Sequence, residues 1–391
     1  MSWWRLIRFE ARAIFSHSAI LLTVFGGVIF YSFLYPLPYI RQTPVEQQVA
    51  VVNLDGSQLS RRLERMVDAT PQVRLCARAG SLAEAKETML KGKLAGILVI
   101  PEHFYRDLLL GREPVLSFAG DASFFLVYST VLEGMSAAGR TLAGEVKISR
   151  LLQSGKPQTQ ARLQLTGVRL NPRPVFNSGM GYVNYVVPAV FVLILHQTLV
   201  MSVGILGGGQ KCTTSVRAAS GYWRDYPAWR VLTVRAVIFG LLYLLAFMYY
   251  FGPSFSWYGI ARLAEIGDLA ALVVPFLLAA IFLGVCLGQI LPRPELVTLV
   301  VLLSSMPLVF TSGFVWPLSA IPAPIVAAVQ LVPVIPAIAA FLRLNQLGAD
   351  FAQVFPLWLQ LWLQCLGYGS LAVWLLHYRR DVTVFQEKGQ D

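Results

Sequence analysis

The sequence predicts an α-helical polytopic membrane protein with six transmembrane helices, a re-entrant helical hairpin before the last span, and a mixed α/β extracytoplasmic domain between the first two spans. Hydrophobic residues form 56% of the chain and charged residues only 14%, the balance of an integral membrane protein. Leu296 to Leu342 contains no Asp, Glu, Lys or Arg, and it is more than twice the roughly 20 residues that one spanning helix needs. The same stretch carries Pro307, Pro317, Pro322, Pro324, Pro333 and Pro336, so it cannot be one continuous helix. It must span, break, and stay apolar without spanning again.

The formal charge of +11 does not indicate nucleic acid, because Lys and Arg are scattered between apolar segments rather than massed in one patch. Anionic lipid headgroups account for them.

Residues 1–18 form a cytoplasmic interface element. From Ser2 to Phe15, Trp3, Trp4, Ile7, Ala11 and Ile14 recur at helical steps while Arg5, Arg8 and Arg12 take another face. Such a helix lies among headgroups; the pattern equally suits a positive flank for the next span. Ala19 to Leu37 is the first span (segment 19–40), ended by Pro36 and Pro38. No stretch has the short apolar core and cleavage site of a removable signal, so this span is expected to be an anchor.

Residues 41–178 are the extracytoplasmic domain. Strands are expected at Val49–Asn53, Val73–Ala77, Leu94–Ile100 and Val115–Phe118. Helices follow Ser57 and the capping-box spacing Ser81–Glu84, another runs to about Leu110, and a longer one covers Ser123 to Leu152. Alternating strands and helices give a small mixed α/β fold. Asp55-Gly56 reads as a turn.

The segment 179–378 holds five further spans: Tyr182–Leu206, Val231–Phe251, Leu269–Leu291, Leu296–Trp316 and Phe355–His377. The loop 208–230 carries Lys211, Arg217, Arg224 and Arg230 against Asp225, and Arg379 and Arg380 open the tail 379–391. The positive-inside rule puts both termini in the cytoplasm and the large domain outside. A seventh span across 317–342 would put Arg379 and Arg380 outside, so that segment is expected to be re-entrant. Backbone broken at that depth needs protein or water around it.

Enzyme constellations are missing from the pattern. Gly209, Lys211 and Thr213 imitate a phosphate loop, but Gln210 and Cys212 intervene where Lys and Ser or Thr must be adjacent. The four histidines are far apart in sequence, and Cys76, Cys212, Cys286 and Cys365 form no CxxC, so neither catalytic residues nor a metal site is expected. Polar residues do lie in spans. His196 and Gln197, with Gln360 and Gln364 on one face of the last span, either line a translocation path or bond between helices. Gly284 and Gly288 give a GxxxG for close packing. Tyr222, Trp223, Arg224, Asp225 and Trp229 make the loop before the third span dense in aromatics and charges, as an interfacial belt or as a docking surface for a cytoplasmic protein.

The arrangement resembles the permease subunit of a bacterial ABC exporter of the type-2 family over essentially the whole chain. Its most specific stretch is Thr311-Ser312-Gly313-Phe314-Val315-Trp316-Pro317 to Pro322, similar to the family's SGF-x-x-P-x-x-x-x-P element. Leu331-Val332-Pro333 with Pro336, and Phe341 to Gly348, resemble its continuation; Asn171-Pro172, Phe176-Asn177 and Tyr182 to Pro188 match more loosely. Gly209 to Thr214 departs from the acidic Glu-Arg-Glu-like stretch of many members.

The resemblance implies a permease that exports a hydrophobic or amphiphilic substrate, drug-like or lipid, across a bacterial inner membrane. ATP and Mg would be bound by a separate ATP-binding-cassette subunit, with none bound by this chain. The other partners implied are a second permease copy or paralogue, membrane lipids, and a periplasmic adaptor where an outer membrane exists. In a permease the GxxxG could be the dimer seam. Arg5, Arg8, Arg12 and the Tyr222–Trp229 group would couple to the ATPase, and Ser312, Gly313, Phe314, Pro317, Pro322, Pro333 and Pro336 would shape an outer gate. The alternatives are a non-transporting receptor or scaffold that uses the external domain, and an intramembrane enzyme built around His196.

Overall fold

The computed structural model describes residues 2–40, 44–92, 94–165, 177, 181–212 and 222–388. Within them, six helices are long and apolar enough to cross a bilayer: Ser18–Tyr39, Val183–Gln210, Ala228–Trp257, Ile266–Ile290, Pro294–Thr311 and Phe351–Arg379. Each overlaps an apolar stretch expected from sequence. The chain divides into two units, Met1–Ile40 with Val175–Asp391, and Arg41–Pro174.

In the helical unit the second and fourth spans are the interior pair. Both are predominantly apolar around their circumference, as suits helices packed on several sides. They meet through glycines: a Cβ on Gly288 would lie 2.6 Å from Gly204 O, and one on Gly284 would lie 2.9 Å from Val200 O. The GxxxG is therefore consumed by packing within the chain and is not free to be a seam between copies. The first span is tied to the third by polar contacts, Tyr250 OH to Val28 O at 2.8 Å and Ser32 Oγ with Tyr249 OH at 2.9 Å.

The amphipathic helix forms over Trp3–Phe15, but its buried stripe is Leu6, Glu10 and Ile14. Trp4 is 78% exposed. Of the expected apolar face, Ile14 is buried and Ile7 and Ala11 are half-buried, while Trp3 and Trp4 are exposed. The buried stripe is turned toward Leu6 and Glu10, because the acidic side chain, rather than a tryptophan, has a partner inside.

After the fifth span the chain makes two short helices, Ala323–Val329 and Val334–Leu347, bent by 90° at their break. At 1.5 Å per residue each falls short of the roughly 30 Å hydrocarbon core. The first arm is largely exposed and the second is buried. The second arm runs past the expected end at residue 342, to Leu347, where Gly348 stops it in the left-handed region (φ 60°).

The α/β unit is a four-stranded sheet, β1 (Gln47–Asn53), β2 (Val73–Arg78), β3 (Gly96–Ile100) and β4 (Ser117–Gly120), in the order β2-β1-β3-β4. β1 pairs in parallel with β2 and β3, and β3 pairs antiparallel with β4. Side-chain alternation along β1 explains two cores. Val49 and Val51 join Leu63, Val67 and Phe104 on one face, while Ala50 and Val52 join Ala85 and Leu94 on the other. Ser57 and Ser81 cap the helices Gln58–Asp68 and Leu82–Leu90, accepting from Ser60 N and Glu84 N. The Glu84 carboxylate reaches Gly80 N at 2.9 Å, one residue short of a reciprocal box. Asp55 N and Gly56 N donate to Asn53 Oδ1, making the expected turn.

Candidate functional site

A cation inside an apolar helix must find a counter-charge or water. Arg235, in the third span, is 1% exposed, and Glu10 of the amphipathic helix is fully buried. Arg235 Nη2 donates to Glu10 Oε1 and to Gln210 Oε1, each at 2.7 Å. Gln210, at the end of the second span, donates through Nε2 to Tyr222 OH at 2.7 Å. Phe9 stacks on the Tyr222 ring, centroids 5.5 Å apart. Burial, with the Glu10 carboxylate adding to it, pushes the Tyr222 phenol well above its ordinary range and keeps it neutral.

Longer contacts extend this network. Gln289 Nε2, at the end of the fourth span, reaches Gly207 O at 3.4 Å, and Arg379, at the end of the sixth, reaches Gln289 O at 3.4 Å. A Cβ on Gly208 would lie 3.0 Å from Pro294 Cα, at the start of the fifth span. One end of the bundle is thus stitched together around Arg235. Removing two charges from water costs several kcal/mol per ion, so the pair is better read as selecting one arrangement than as adding stability.

The predicted coupling residues divide by burial. Arg5, Arg8 and Arg12 are exposed. Tyr222 and Trp223 are buried, Arg224 is half-buried with its guanidinium 5.6 Å from the Trp223 ring, and Asp225 is exposed. Trp229 is 51% exposed and meets Trp3 edge-on at 5.7 Å, with the Arg230 guanidinium over both rings. Residues 213–221, including Thr213, Thr214 and Arg217, lie outside the described residues, as do Asn171-Pro172 and Phe176.

The proline-rich element sits where helices start and stop. Ser312 closes the fifth span, its Oγ donating to Val309 O at 2.7 Å. Gly313 adopts φ 88°, a conformation that suits glycine, and Phe314 is buried. Pro317 precedes a single 3₁₀ turn, Pro322 and Pro333 sit at the N-caps of the two arms, and Pro336 lies in the first turn of the second. No proline interrupts an arm.

Gln360 and Gln364 hold the break between the arms. Both donate through Nε2 to Gln330 O, at 2.9 and 2.7 Å, and Tyr368 OH donates to Leu331 O at 2.8 Å. The carbonyls that a helix C-terminus leaves open are thereby satisfied from the neighbouring span. For these glutamines the contacts favour interhelical bonding. His196 is buried on the second span, its ring facing Phe276 at 6.3 Å, and neither ring nitrogen has a hydrogen-bond partner in the described structure. Gln197 beside it is half-buried. No described hydrogen bond joins this pair to Gln360 or Gln364.

Sequence reasoning missed Glu10, Arg235 and Gln210. Glu10 is the single acid before Glu46, and Arg235 is a cation inside an apolar stretch. Each was out of place for its element, and that was the available signal.

A family model described as "ABC-2 family transporter protein" matches residues 17–374, nearly the whole chain. A comparison with curated proteins found no match.

Proposed function

The chain belongs to the ABC-2 family of transporter permeases, and from that premise we propose that it is the exporter permease whose coupling element is the Glu10–Arg235–Gln210–Tyr222 network. The observation that carries this is the buried ion pair, which ties the amphipathic helix to the third span and, through Gln210, to the second. A helix with one face locked into the bundle and another face free is built to transmit a push. The free face presents Trp4, Arg5, Arg8 and Arg12; beside it the adjoining loop presents Asp225 and the first turn of the third span presents Trp229. An ATP-binding-cassette subunit, which would hold ATP and Mg, docks there, and its closure moves the second and third spans together.

The orientation with both termini in the cytoplasm of a bacterial inner membrane, and the α/β unit outside, follows the positive charges. Lys211, Arg230 and Arg379 belong to the end of the bundle where Arg235 sits. The re-entrant reading of the proline-rich segment is supported by where its ends lie. The fifth span starts beside Gly208, so Ser312 is at the opposite end of the bundle from Arg235. The second arm finishes there too: Asn345 Nδ2 and Gln346 Nε2 both donate to Ala261 O, in the loop between the third and fourth spans. An outer gate at Gly313–Pro336 is consistent with that position. The exposed first arm and the apolar outer faces of the first, fifth and sixth spans offer lipid-facing or second-copy surface. The apolar walls favour a hydrophobic or amphiphilic substrate, and the α/β unit is the part free to meet an adaptor.

Co-purification with a candidate ATP-binding-cassette ATPase in lipid nanodiscs, with hydrolysis measured for wild type, Glu10→Gln and Trp229→Ala, tests the reading. Coupling predicts stimulated hydrolysis that both variants lower. Failure to co-purify, or hydrolysis indifferent to both variants, would favour a non-transporting scaffold.

A further inference from the structure

The α/β unit contains a cavity of about 500 Å³ between the long helix Phe125–Gln153 and the segment from Phe104 to Leu116, within the size range of small-molecule sites. Its floor is apolar: Leu63, Phe104 and Leu142 are buried there, with Leu108, Leu116 and Val146 half-buried around them. Its rim is cationic, with Arg112, Arg140, Lys147 and Arg150 against Glu113 alone.

These cations differ in how far they are already engaged. Arg150 Nη2 donates to Leu108 O, closing the short helix Phe104–Leu110, and Arg112 pairs with Asp107 at 3.6 Å. Among the described residues, Arg140 makes only a 3.3 Å bond from Nε to Ser136 O, one turn back on its own helix. Lys147 has no ion-pair partner among the described residues. An apolar basin edged by uncommitted cations matches one chemistry: an apolar body carrying an anionic head. A neutral ligand would leave the cations unused, and a cationic one would be repelled.

We propose that this cavity binds an anionic amphiphile, its carboxylate, sulfonate or phosphate head at Arg140 and Lys147 and its tail on the Leu63–Phe104–Leu142 floor. The site lies wholly inside the α/β unit and does not rest on the transport reading. Its ligand is either a free amphiphile or a phospholipid; the head and tail chemistry is common to both.

Gly139 provides a way to plug the cavity. A Cβ there meets only Leu116 Cδ1, at 3.4 Å, so Gly139→Leu projects into the space, and leucine is the better helix former. The full-length protein in phosphatidylcholine nanodiscs would be photolabelled with a diazirine analogue of dodecanoate and the adducts mapped by mass spectrometry. Labelling is expected on residues 104–116 and 139–150, competed by dodecanoate and dodecyl phosphate but not by dodecyltrimethylammonium. It should fall about tenfold in Gly139→Leu and in Arg140→Gln/Lys147→Gln, as expected when burial or charge pairing is lost. Suppression by added phosphatidylglycerol would identify the bilayer as the source; indifference to it would identify a free amphiphile. Labelling outside these segments, equal competition by the cation, or undiminished labelling in a plugged variant with wild-type thermal unfolding would overturn the proposal. Should Gly139→Leu fail to fold, the Arg140/Lys147 variant decides.

Discussion

Arg235 and Glu10 meet at 2.7 Å in a site from which both side chains lose essentially all contact with solvent. Neutralising one partner leaves the other as an uncompensated buried charge, a loss of about 3–5 kcal/mol. Glu10→Gln and Arg235→Met are each expected to lower the thermal unfolding temperature in nanodiscs. The double variant should recover much of the loss, because no isolated charge remains. A double variant as unstable as the sum of the singles would show that the pair does not interact.

The crossing of the second and fourth spans depends on the missing side chain at Gly288. A Cβ there would lie 2.6 Å from Gly204 O, and that atom is backbone, which cannot swing aside. Gly288→Ala is expected to force the spans apart and to cost about 1–3 kcal/mol, the range for overpacking. Gly240→Ala is the matched control, since nothing lies within 4 Å of its added methyl. The two variants should differ clearly in unfolding temperature and in expression.

Much of the architecture was legible because its causes are local. Apolar length marks the spans, Ser57 and Ser81 mark helix starts, and an unbroken apolar run, Val49–Val52, buried on both faces marks β1. The network around Arg235 was not legible, because its partners are 225 residues apart and only the tertiary fold brings them together. The periodicity of the first helix pointed to the tryptophan face, since hydrophobicity counts cannot see that an acid has a buried counter-ion. Gln360 and Gln364 were recognisable as a shared polar face, but their common acceptor, Gln330 O, is a backbone atom opened by a break. The Gln330 side chain, whose Oε1 also accepts from Gln360 Nε2 at 2.9 Å, was the sequence signal for it. The GxxxG had a legible purpose and an illegible partner, Gly204.

Trp229 separates docking from folding. It is half-exposed and sits at the first turn of the third span, touching only Trp3 and Arg230 among the described rings and cations. Trp229→Ala should leave thermal unfolding within about 0.5 kcal/mol of wild type, as for surface changes. It should still weaken association with the ATPase subunit, as removal of an exposed aromatic anchor does. Trp223→Ala should instead destabilise the chain, because Trp223 is 5% exposed and belongs to the core. Equal stability losses in both would remove the distinction between docking and anchoring.

In the proposed re-entrant arrangement, the break at Gln330 fixes how deep the hairpin reaches. Its carbonyl is held by Gln360 and Gln364 and that of Leu331 by Tyr368. Those donors lie roughly 14–26 Å along a sixth span that begins at Phe351, at 1.5 Å per residue. A hairpin that enters and leaves on one side therefore turns near the middle of the bilayer. Single cysteines placed at Arg343 and Ala328, in a background lacking the native cysteines, should distinguish this from a seventh crossing. Under the re-entrant arrangement Arg343→Cys reacts with a membrane-impermeant maleimide from outside intact cells, and Ala328→Cys reacts slowly or not at all from either side. Replacing Gln360 and Gln364 together by Leu strips Gln330 O of its donors, at a cost of about 0.6–2 kcal/mol per bond. That change should loosen the turn and raise the rate at Ala328→Cys while leaving Arg343→Cys unchanged. Labelling of Arg343→Cys only after the cells are opened would mean that the bent pair crosses the membrane.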